Sequence, residues 1–258
     1  MTHPTKQEPR MRRSLAAVLA AVVLAGSALV GASGAAPQAG LTIYAAASLT
    51  EVFRAYDGSQ TYSFGGSNAI ETQIRNGAPA DVFASAAPAN AQRLFRAGLV
   101  DKPVTFTANR LALITPRANP AGIRSVYDLR RKPVKLVVAA PAVPVGGYTV
   151  TVLRKMGLSG VLSKVVSRES DVKAVVGKVA LGQADAGFVY VTDARAVSDQ
   201  VNVVRIPAWA QPRVRYEIAV VSKSPNKAAA QAWIKGVVGP KGQAALKAAG
   251  FLPIPAAK

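Results

Sequence analysis

The chain alternates short apolar runs with helical segments, and this alternation restricts its possible folds more than any other feature. The apolar runs 41–47, 61–64 and 134–140 each lead, through a short turn containing Ser, Gly or Pro, into a segment of helical character. Strands that alternate with helices in this way are typical of α/β proteins with mostly parallel sheets. The sequence therefore predicts an α/β fold.

The turn at residues 44–51 resembles a strand that runs directly into a helix, predicted to extend from Ser48 to about Tyr56. Ser48 and Glu51 have the S-x-x-E spacing of a capping box, in which the two side chains bond the first free N–H groups of the helix. A hydroxyl beside free N–H groups at the positive end of a helix can also bind an anion. Two readings stay open: Ser48 only caps the helix, or it also binds an anion.

Three later turns have the same character, and Tyr190 ends a further apolar run. Each combines small or capping residues with a strand end, as in Gly65-Gly66-Ser67, the PVGG run at 144–147 and the SDV run at 170–172. In the SDV run, Ser170 or Asp171 is the predicted cap of the following helix. Ordinary tight turns are the alternative explanation for each. Together, two turns before Pro116 and two after it predict two lobes whose helix N-termini face one cleft. Neutral donors in such a cleft favour a small, fully deprotonated dianion.

The first 36 residues have the pattern of an export signal. Basic residues, including Arg12 and Arg13, precede the apolar run 15–30, and small residues follow at 31–36. A membrane anchor is the alternative, but Gly26 and Ser27 interrupt the apolar run. Because the chain has no Cys to accept a lipid, we predict a cleaved signal peptide over residues 1–36 and a protein free in the periplasm.

Missing residue types exclude most catalytic chemistry. The chain has no Cys, and its single His is His3, within the predicted signal. A Ser-His-Asp triad, a thiolate nucleophile and His or Cys metal sites are therefore excluded. We predict that the protein is not an enzyme and has no cofactor. The alternative is an exported enzyme that uses Asp81, Asp185 or Asp193 as acid or base.

The charge is strongly basic, which favours anionic partners without identifying them. The whole chain carries +19, and because residues 1–36 contain four Lys or Arg and one Glu, the remainder carries +16. The basic residues are scattered and show little aromatic interleaving, so nucleic acid is not the predicted partner. A basic adhesion or nucleic-acid-binding protein stays as an alternative.

Several motifs, in this order, resemble those of the periplasmic molybdate-binding proteins of ATP-driven (ABC) importers. The resemblance covers residues 41–255 and rests on the runs AAASL (45–49), FGGS (64–67), NGAPADVF (76–83), PVGGY (144–148), DV (171–172) and GFVYVTD (187–193). The segment between Leu49 and Phe64 is several residues shorter than in most of that family, which implies a truncated or redrawn first helix and following strand.

This resemblance implies a two-lobe periplasmic-binding-protein fold of type II, in which two strands, 110–116 and 214–222, cross between the lobes. Lobe I would comprise residues 37–112 plus 216–258, and lobe II residues 113–215. The implied function is capture of molybdate or tungstate for the transmembrane subunits of an ABC permease by a monomer. Sulfate, phosphate or an organic anion are alternative ligands. The implied oxyanion ligands, none of them a direct metal ligand, are Ser48, Ser67, Val145, Val172 and Tyr190.

Overall fold

The computed structural model describes residues 40–254 of the protein, which contain ten β-strands and nine α-helices. The strands form two five-stranded sheets, so the predicted α/β class is confirmed. The predicted signal peptide, residues 1–36, lies outside the described residues. Within residues 40–254, no helix is long and apolar enough to cross a membrane.

The first sheet combines four parallel strands from the first part of the chain with one strand from its last part. Strands β1, β2 and β3 run parallel, whereas β10 is antiparallel to both of its neighbours. In spatial order the strands are β2 (Thr61–Gly65), β1 (Thr42–Ala46), β3 (Val82–Ser85), β10 (Val214–Val220) and β4 (Val104–Asn109). The helices of this part are α1 (Thr50–Tyr56), α2 (Ser67–Arg75), α3 (Pro88–Arg96), α8 (Lys227–Val238) and α9 (Pro240–Ala248).

The second sheet repeats this plan. Its strands β6, β7 and β8 are parallel, and β5 is antiparallel to both of its neighbours. In spatial order the strands are β7 (Val165–Glu169), β6 (Leu136–Ala139), β8 (Ala186–Tyr190), β5 (Leu111–Pro116) and β9 (Val201–Arg205). The helices of this part are α4 (Asp128–Arg131), α5 (Pro144–Lys155), α6 (Val172–Ala180) and α7 (Val191–Ala196).

The chain passes twice between the two sheets. Arg110 alone separates β4 from β5, and the segment between β9 and β10 returns the chain to the first sheet. The sequence did not predict β4, whose first residues are partly exposed. The predicted strands 110–116 and 214–222 are β5 and β10, the antiparallel member of each sheet.

The shortened segment after Leu49 forms a helix of only seven residues, α1, followed by a tight turn. Asp57 organises this turn, since its carboxylate accepts hydrogen bonds from Ser59, Gln60 and the indole Nε1 of Trp233. The Phe53 ring of α1 packs edge-on against Trp233 at 5.2 Å between centroids. Tyr56 of α1 packs on the same Trp233 ring at 5.9 Å, so the short helix is joined to α8 by one carboxylate and two aromatic pairs.

The central parallel strands are buried along their whole length, which explains their continuous apolar sequences. All four residues of β6 and all five of β8 are buried. Helix α6 packs so closely on β8 that only Gly fits at position 187. A Cβ there would lie 2.7 Å from Cγ1 of Val175 and 3.1 Å from Cγ1 of Val137.

Gly187→Ala should therefore destabilise the protein by about 1 to 3 kcal/mol, the usual cost of overpacking a core. Gly177→Ala, on the α6 helix itself, is the matched control because nothing lies within 4 Å of its added Cβ. This control should stabilise the helix by roughly 0.5 to 1 kcal/mol. Urea unfolding of the two variants measures both effects, and equal free energies of unfolding would contradict the close α6–β8 packing.

Candidate functional site

A small cavity lies where the carboxyl ends of strands from the two sheets meet. It encloses about 200 Å³ of space, including its opening to solvent, and its lining contains no Lys or Arg. All five residues predicted to bind an anion line it: Ser48, Ser67, Val145, Val172 and Tyr190. The remaining lining residues are Ala46, Ala47, Gly65, Gly66, Ala86, Val143, Pro144 and Asp171.

Ser48 does not cap its helix, so the predicted capping box is wrong. A 3₁₀ turn, Ala47–Leu49, precedes α1, and neither segment has a side-chain cap hydrogen bond. The Oγ atom of Ser48 lies instead 2.8 Å from the hydroxyl of Tyr216 on β10. The Glu51 carboxylate instead accepts a hydrogen bond from Lys173 of α6, which packs on the second sheet. Tertiary partners have replaced the two local bonds of the capping box.

Ser67 is the first residue of α2, and Gly66 takes the cap position without a side-chain cap bond. The Oγ atom of Ser67 accepts a hydrogen bond of 3.0 Å from the N–H of Ala86 at the end of β3. Because one lone pair is thereby occupied by a donor that cannot reverse, the hydroxyl proton of Ser67 is free to point into the cavity. The helix itself is held by Glu71, which is bonded to Arg93 of α3.

Val145 and Val172 contribute through the backbone. Val145 follows Pro144 in the first turn of α5, and Val172 is the first residue of α6. The first N–H groups of a helix have no acceptor within it, so these two can donate to a guest. As predicted, Asp171 caps α6: its carboxylate accepts from the N–H groups of Lys173 and Ala174, which turns its charge toward its own helix.

Tyr190 ends β8 and is 1% exposed. Within residues 40–254, its hydroxyl has no hydrogen-bond partner. Burial raises its pKa well above the ordinary value, and the neighbouring Tyr216 and Tyr148 act in the same direction. The hydroxyl is therefore neutral and its proton is available. A buried polar group without a partner costs about 1 to 3 kcal/mol, so the position is suited to a guest that accepts a hydrogen bond.

Two buried residues behind the cavity were not recognised from the sequence. Tyr216 is fully buried, and Asn109 at the end of β4 is 3% exposed. The Nδ2 atom of Asn109 lies 2.9 Å from Oγ1 of Thr192 and 3.5 Å from the Tyr216 hydroxyl. A tyrosine within an apolar strand gives no local signal of a role, because its partner Ser48 is 168 residues away in the chain.

The two sheets also approach each other closely beside the cavity. Gly66 lies against Ser170 of the second sheet, so an added Cβ at Gly66 would overlap the Ser170 carbonyl oxygen. Lys173 of α6 donates to both carboxylate oxygens of Glu51 at 2.8 Å. Its Nζ atom also lies 3.3 Å from Oδ1 of Asp193. Glu51 belongs to the first sheet's helices, so this group of three links the two halves.

Asp193 is fully buried, and this burial raises the pKa of its carboxyl to about 6, although Lys173 and the N–H of Tyr190 act to lower it. Burial lowers the pKa of Lys173, but Asp193 and Glu51 outweigh that effect, so its pKa is raised overall. The nearest cation to the cavity is thus already engaged by two carboxylates.

The three aspartates considered as catalytic groups have separate structural partners. Asp81 accepts from the N–H of Thr42 and the hydroxyl of Ser224, and Asp185 accepts from the N–H of Lys135. Neither lines the cavity, since both precede strands at their amino ends. In the described part of the chain, no three His, Cys, Asp or Glu residues gather closely enough to hold a metal ion.

Comparison with known proteins supports the architecture. The model of the family "bacterial extracellular solute-binding protein" matches residues 39–252. The molybdate-binding protein ModA of Mycobacterium tuberculosis is 36% identical over 250 residues, which cover 92% of this chain and 94% of that protein.

Two solved structures share the fold. The periplasmic molybdate-binding protein of Azotobacter vinelandii matches with a TM-score of 0.74 at 23% identity, covering 84% of this chain and 100% of that one. The sulfate-binding protein SubI of Mycobacterium tuberculosis matches with a TM-score of 0.73 at 21% identity, covering 84% and 87%. At these identities the likeness concerns the fold, and it confirms the predicted two-lobe α/β architecture.

The raised pKa of Asp193 predicts a pH-dependent loss of stability. Because the folded carboxyl titrates near pH 6 and its ordinary value is 3.8, the folded state binds more protons between these values. The contribution of the protonated Asp193 carboxyl to the free energy of unfolding is present at low pH and is lost as the pH rises from about 4 to 6.

The free energy of unfolding of the wild type relative to Asp193→Asn should therefore fall by about 2 kcal/mol between pH 4 and pH 7, at 1.36 kcal/mol per pKa unit. Urea unfolding of both proteins across this range measures the difference. A difference that rises with pH would show that Lys173 outweighs burial at this carboxyl.

Proposed function

The chain belongs to the family of bacterial extracellular solute-binding proteins, and we propose that it captures molybdate or tungstate in the cavity between its two sheets. The observation that carries the proposal is a cavity between the two sheets lined by three hydroxyls, by the N-termini of the three helices α2, α5 and α6, and by no Lys or Arg. The donors are the hydroxyls of Ser48, Ser67 and Tyr190 and the N–H groups of Val145 and Val172. A relative with 36% sequence identity to this chain over 250 residues is named as a molybdate-binding protein.

The donor set explains why a fully deprotonated oxyanion is the fitting guest. Hydroxyl and N–H groups stabilise negative charge by hydrogen bonds, and helix N-termini add their dipoles. Ser67 already accepts a hydrogen bond from the N–H of Ala86 through one of its two lone pairs, so its proton is available to a guest. A guest that itself carries a proton would have to place it against another donor. Molybdate and tungstate are dianions near neutral pH and meet this requirement.

The proposed capture mechanism is closure of the two halves around the anion. Ser48 and Ser67 belong to the first sheet's half and Val145, Val172 and Tyr190 to the second, so a bound anion bridges both. The Glu51–Lys173 pair and the contact of Gly66 with Ser170 would form on closure. A ligand that binds only the closed form shifts the population toward it.

We further propose that the exported, mature protein is periplasmic and monomeric and delivers its cargo to the transmembrane subunits of an ABC permease. Lobe I would comprise residues 37–112 plus 216–258 and lobe II residues 113–215. The protein would carry out no chemical step, because the aspartates considered as catalytic groups are engaged in structural bonds.

Sulfate is the alternative ligand, and the sulfate-binding neighbour shows that this fold is compatible with it. Sulfate and molybdate are both tetrahedral dianions, so charge does not separate them. Discrimination would rest on cavity size, since the shorter bonds of sulfate leave it farther from some of the donors on one side.

Isothermal titration of the mature protein should show tight binding of molybdate and tungstate and much weaker binding of sulfate. Ser48→Ala and Tyr190→Phe should each weaken molybdate binding by about 1 to 3 kcal/mol, the range for a hydrogen bond to a charged group. Ser163→Ala is the control, since the Ser163 hydroxyl is outside the cavity and donates to Gly160. Preferential binding of sulfate would replace the proposed ligand, and unchanged affinity in both site variants would contradict the site.

Closure itself is tested at the Gly65-Gly66 pair. Gly66→Ala places a Cβ against the Ser170 carbonyl, whereas a Cβ at Gly65 would meet only Ile70 at 3.7 Å. If the overlap raises the free energy of the closed form by about 1.4 kcal/mol, the Kd for molybdate should rise about tenfold in Gly66→Ala. Gly65→Ala should bind as the wild type does. Equal affinities in the two variants would show that the halves do not need this contact.

A further inference from the structure

Behind Ser48 lies a chain of buried hydrogen bonds that does not itself line the cavity. The Ser48 Oγ atom is 2.8 Å from the Tyr216 hydroxyl, which is 3.5 Å from Nδ2 of Asn109. The same Nδ2 atom donates to Oγ1 of Thr192 at 2.9 Å. Tyr216 is fully buried and Asn109 is 3% exposed, so bulk water does not compete for these bonds.

The direction of these hydrogen bonds is set at the Asn109 end of the series. The N–H of Arg110 donates to Oδ1 of Asn109 at 2.8 Å, and a backbone N–H can only donate. The Asn109 amide therefore presents its Nδ2 donor, not its oxygen, to Tyr216. Since the Tyr216 oxygen accepts that bond, its own proton is available to Ser48, whose Oγ atom lies 2.8 Å away. Ser48 in turn accepts from Tyr216 and is left with its proton for the cavity.

Ser67 reaches the same state by a different route. Its Oγ atom accepts from the N–H of Ala86 at 3.0 Å, so its proton is also free to point into the cavity. Both serines of the first half are thus held as donors, one by a backbone group and the other by a side chain. Of the two arrangements, the one at Ser48 can be removed by mutation without changing the backbone.

We propose that Tyr216, supported by Asn109, is a positioning residue that holds Ser48 as an obligate hydrogen-bond donor and thereby selects against oxyanions that carry a proton. This inference rests on the proposed function and deepens it by assigning a specificity role to residues outside the cavity. Without the Tyr216 hydroxyl, Ser48 could rotate and accept a proton from a guest such as hydrogenphosphate.

The hydrogen-bonded pair lies within one half of the protein, so its formation does not require closure. Ser48 follows β1, Tyr216 lies on β10 and Asn109 ends β4, and all three strands belong to the first sheet. Only Thr192, on α7, belongs to the other half. The Ser48–Tyr216 bond can therefore be measured in the protein without any anion.

The test is a double-mutant cycle with Ser48→Ala, Tyr216→Phe and the double variant. Phe keeps the ring that packs edge-on against Phe251 at 5.5 Å. In titrations with molybdate, Tyr216→Phe should raise the Kd about tenfold in the wild-type background. In the Ser48→Ala background the same change should alter the Kd less than about twofold, because residues that act through one another are not additive.

A second measurement separates positioning from a general structural effect. The ratio of the hydrogenphosphate Kd to the molybdate Kd should fall about fivefold in Tyr216→Phe, since the freed Ser48 can accept a proton. Tyr62→Phe is the matched control: its hydroxyl donates to the Phe53 and Asp57 carbonyls of the same half and lies outside the cavity. That variant should leave the affinity and the ratio unchanged.

The stability cycle, measured without anion, distinguishes failure of this inference from failure of the proposed function. The losses in Tm caused by Ser48→Ala and Tyr216→Phe should be less than additive in the double variant. Additive losses would show that the bond is absent and would overturn the inference, whatever the wild type binds. Equal effects of Tyr216→Phe on affinity in both backgrounds would also overturn it. A wild type that binds neither molybdate nor sulfate would contradict the proposed function.

Discussion

A dianion can be buried in this protein only if oriented dipoles replace the water around it, because the cavity lining contains no cation. The parallel strands satisfy this requirement through their geometry. Their carboxyl ends lie at one edge of each sheet, and the helices that follow begin there, so the free N–H groups at the starts of α2, α5 and α6 converge. The two charged side chains beside the cavity have their own partners. The Asp171 carboxylate caps α6, and Lys173 forms ion pairs with Glu51 and Asp193.

The sequence was sufficient wherever a feature depends on neighbours along the chain. Buried parallel strands read as apolar runs, and the turns after them contain the small and capping residues that a strand-to-helix junction needs. Asp171 was predicted as a possible helix cap and is one. The α/β order predicted that these junctions would lie at the same edges of the sheets, whereas the assignment of Ser48, Ser67, Val145, Val172 and Tyr190 as ligands came from the family resemblance.

The sequence was insufficient wherever a side chain chooses between a local partner and a distant one. The S-x-x-E spacing of Ser48 and Glu51 is a sound local signal, yet both bond residues that are 168 and 122 positions away. A buried hydroxyl partner and a Lys beside a second carboxylate are better partners than the first N–H groups of a seven-residue helix. Neither partner is visible in a local pattern, which is why the role of Tyr216 emerges only from the packing of β10 beside β3.

The same competition explains how closure can depend on the guest. The two halves contribute different kinds of donor: the first provides serines whose accepting positions are occupied, and the second provides Tyr190, whose hydroxyl has no partner within residues 40–254. Closure without an anion would bury the Tyr190 hydroxyl at a cost of about 1 to 3 kcal/mol. The Glu51–Lys173 pair, which is partly exposed, contributes about 1 kcal/mol or less to the stability of the closed form. In the proposed closure this pair alone does not offset the buried donor, so an acceptor in the cavity would favour the closed form.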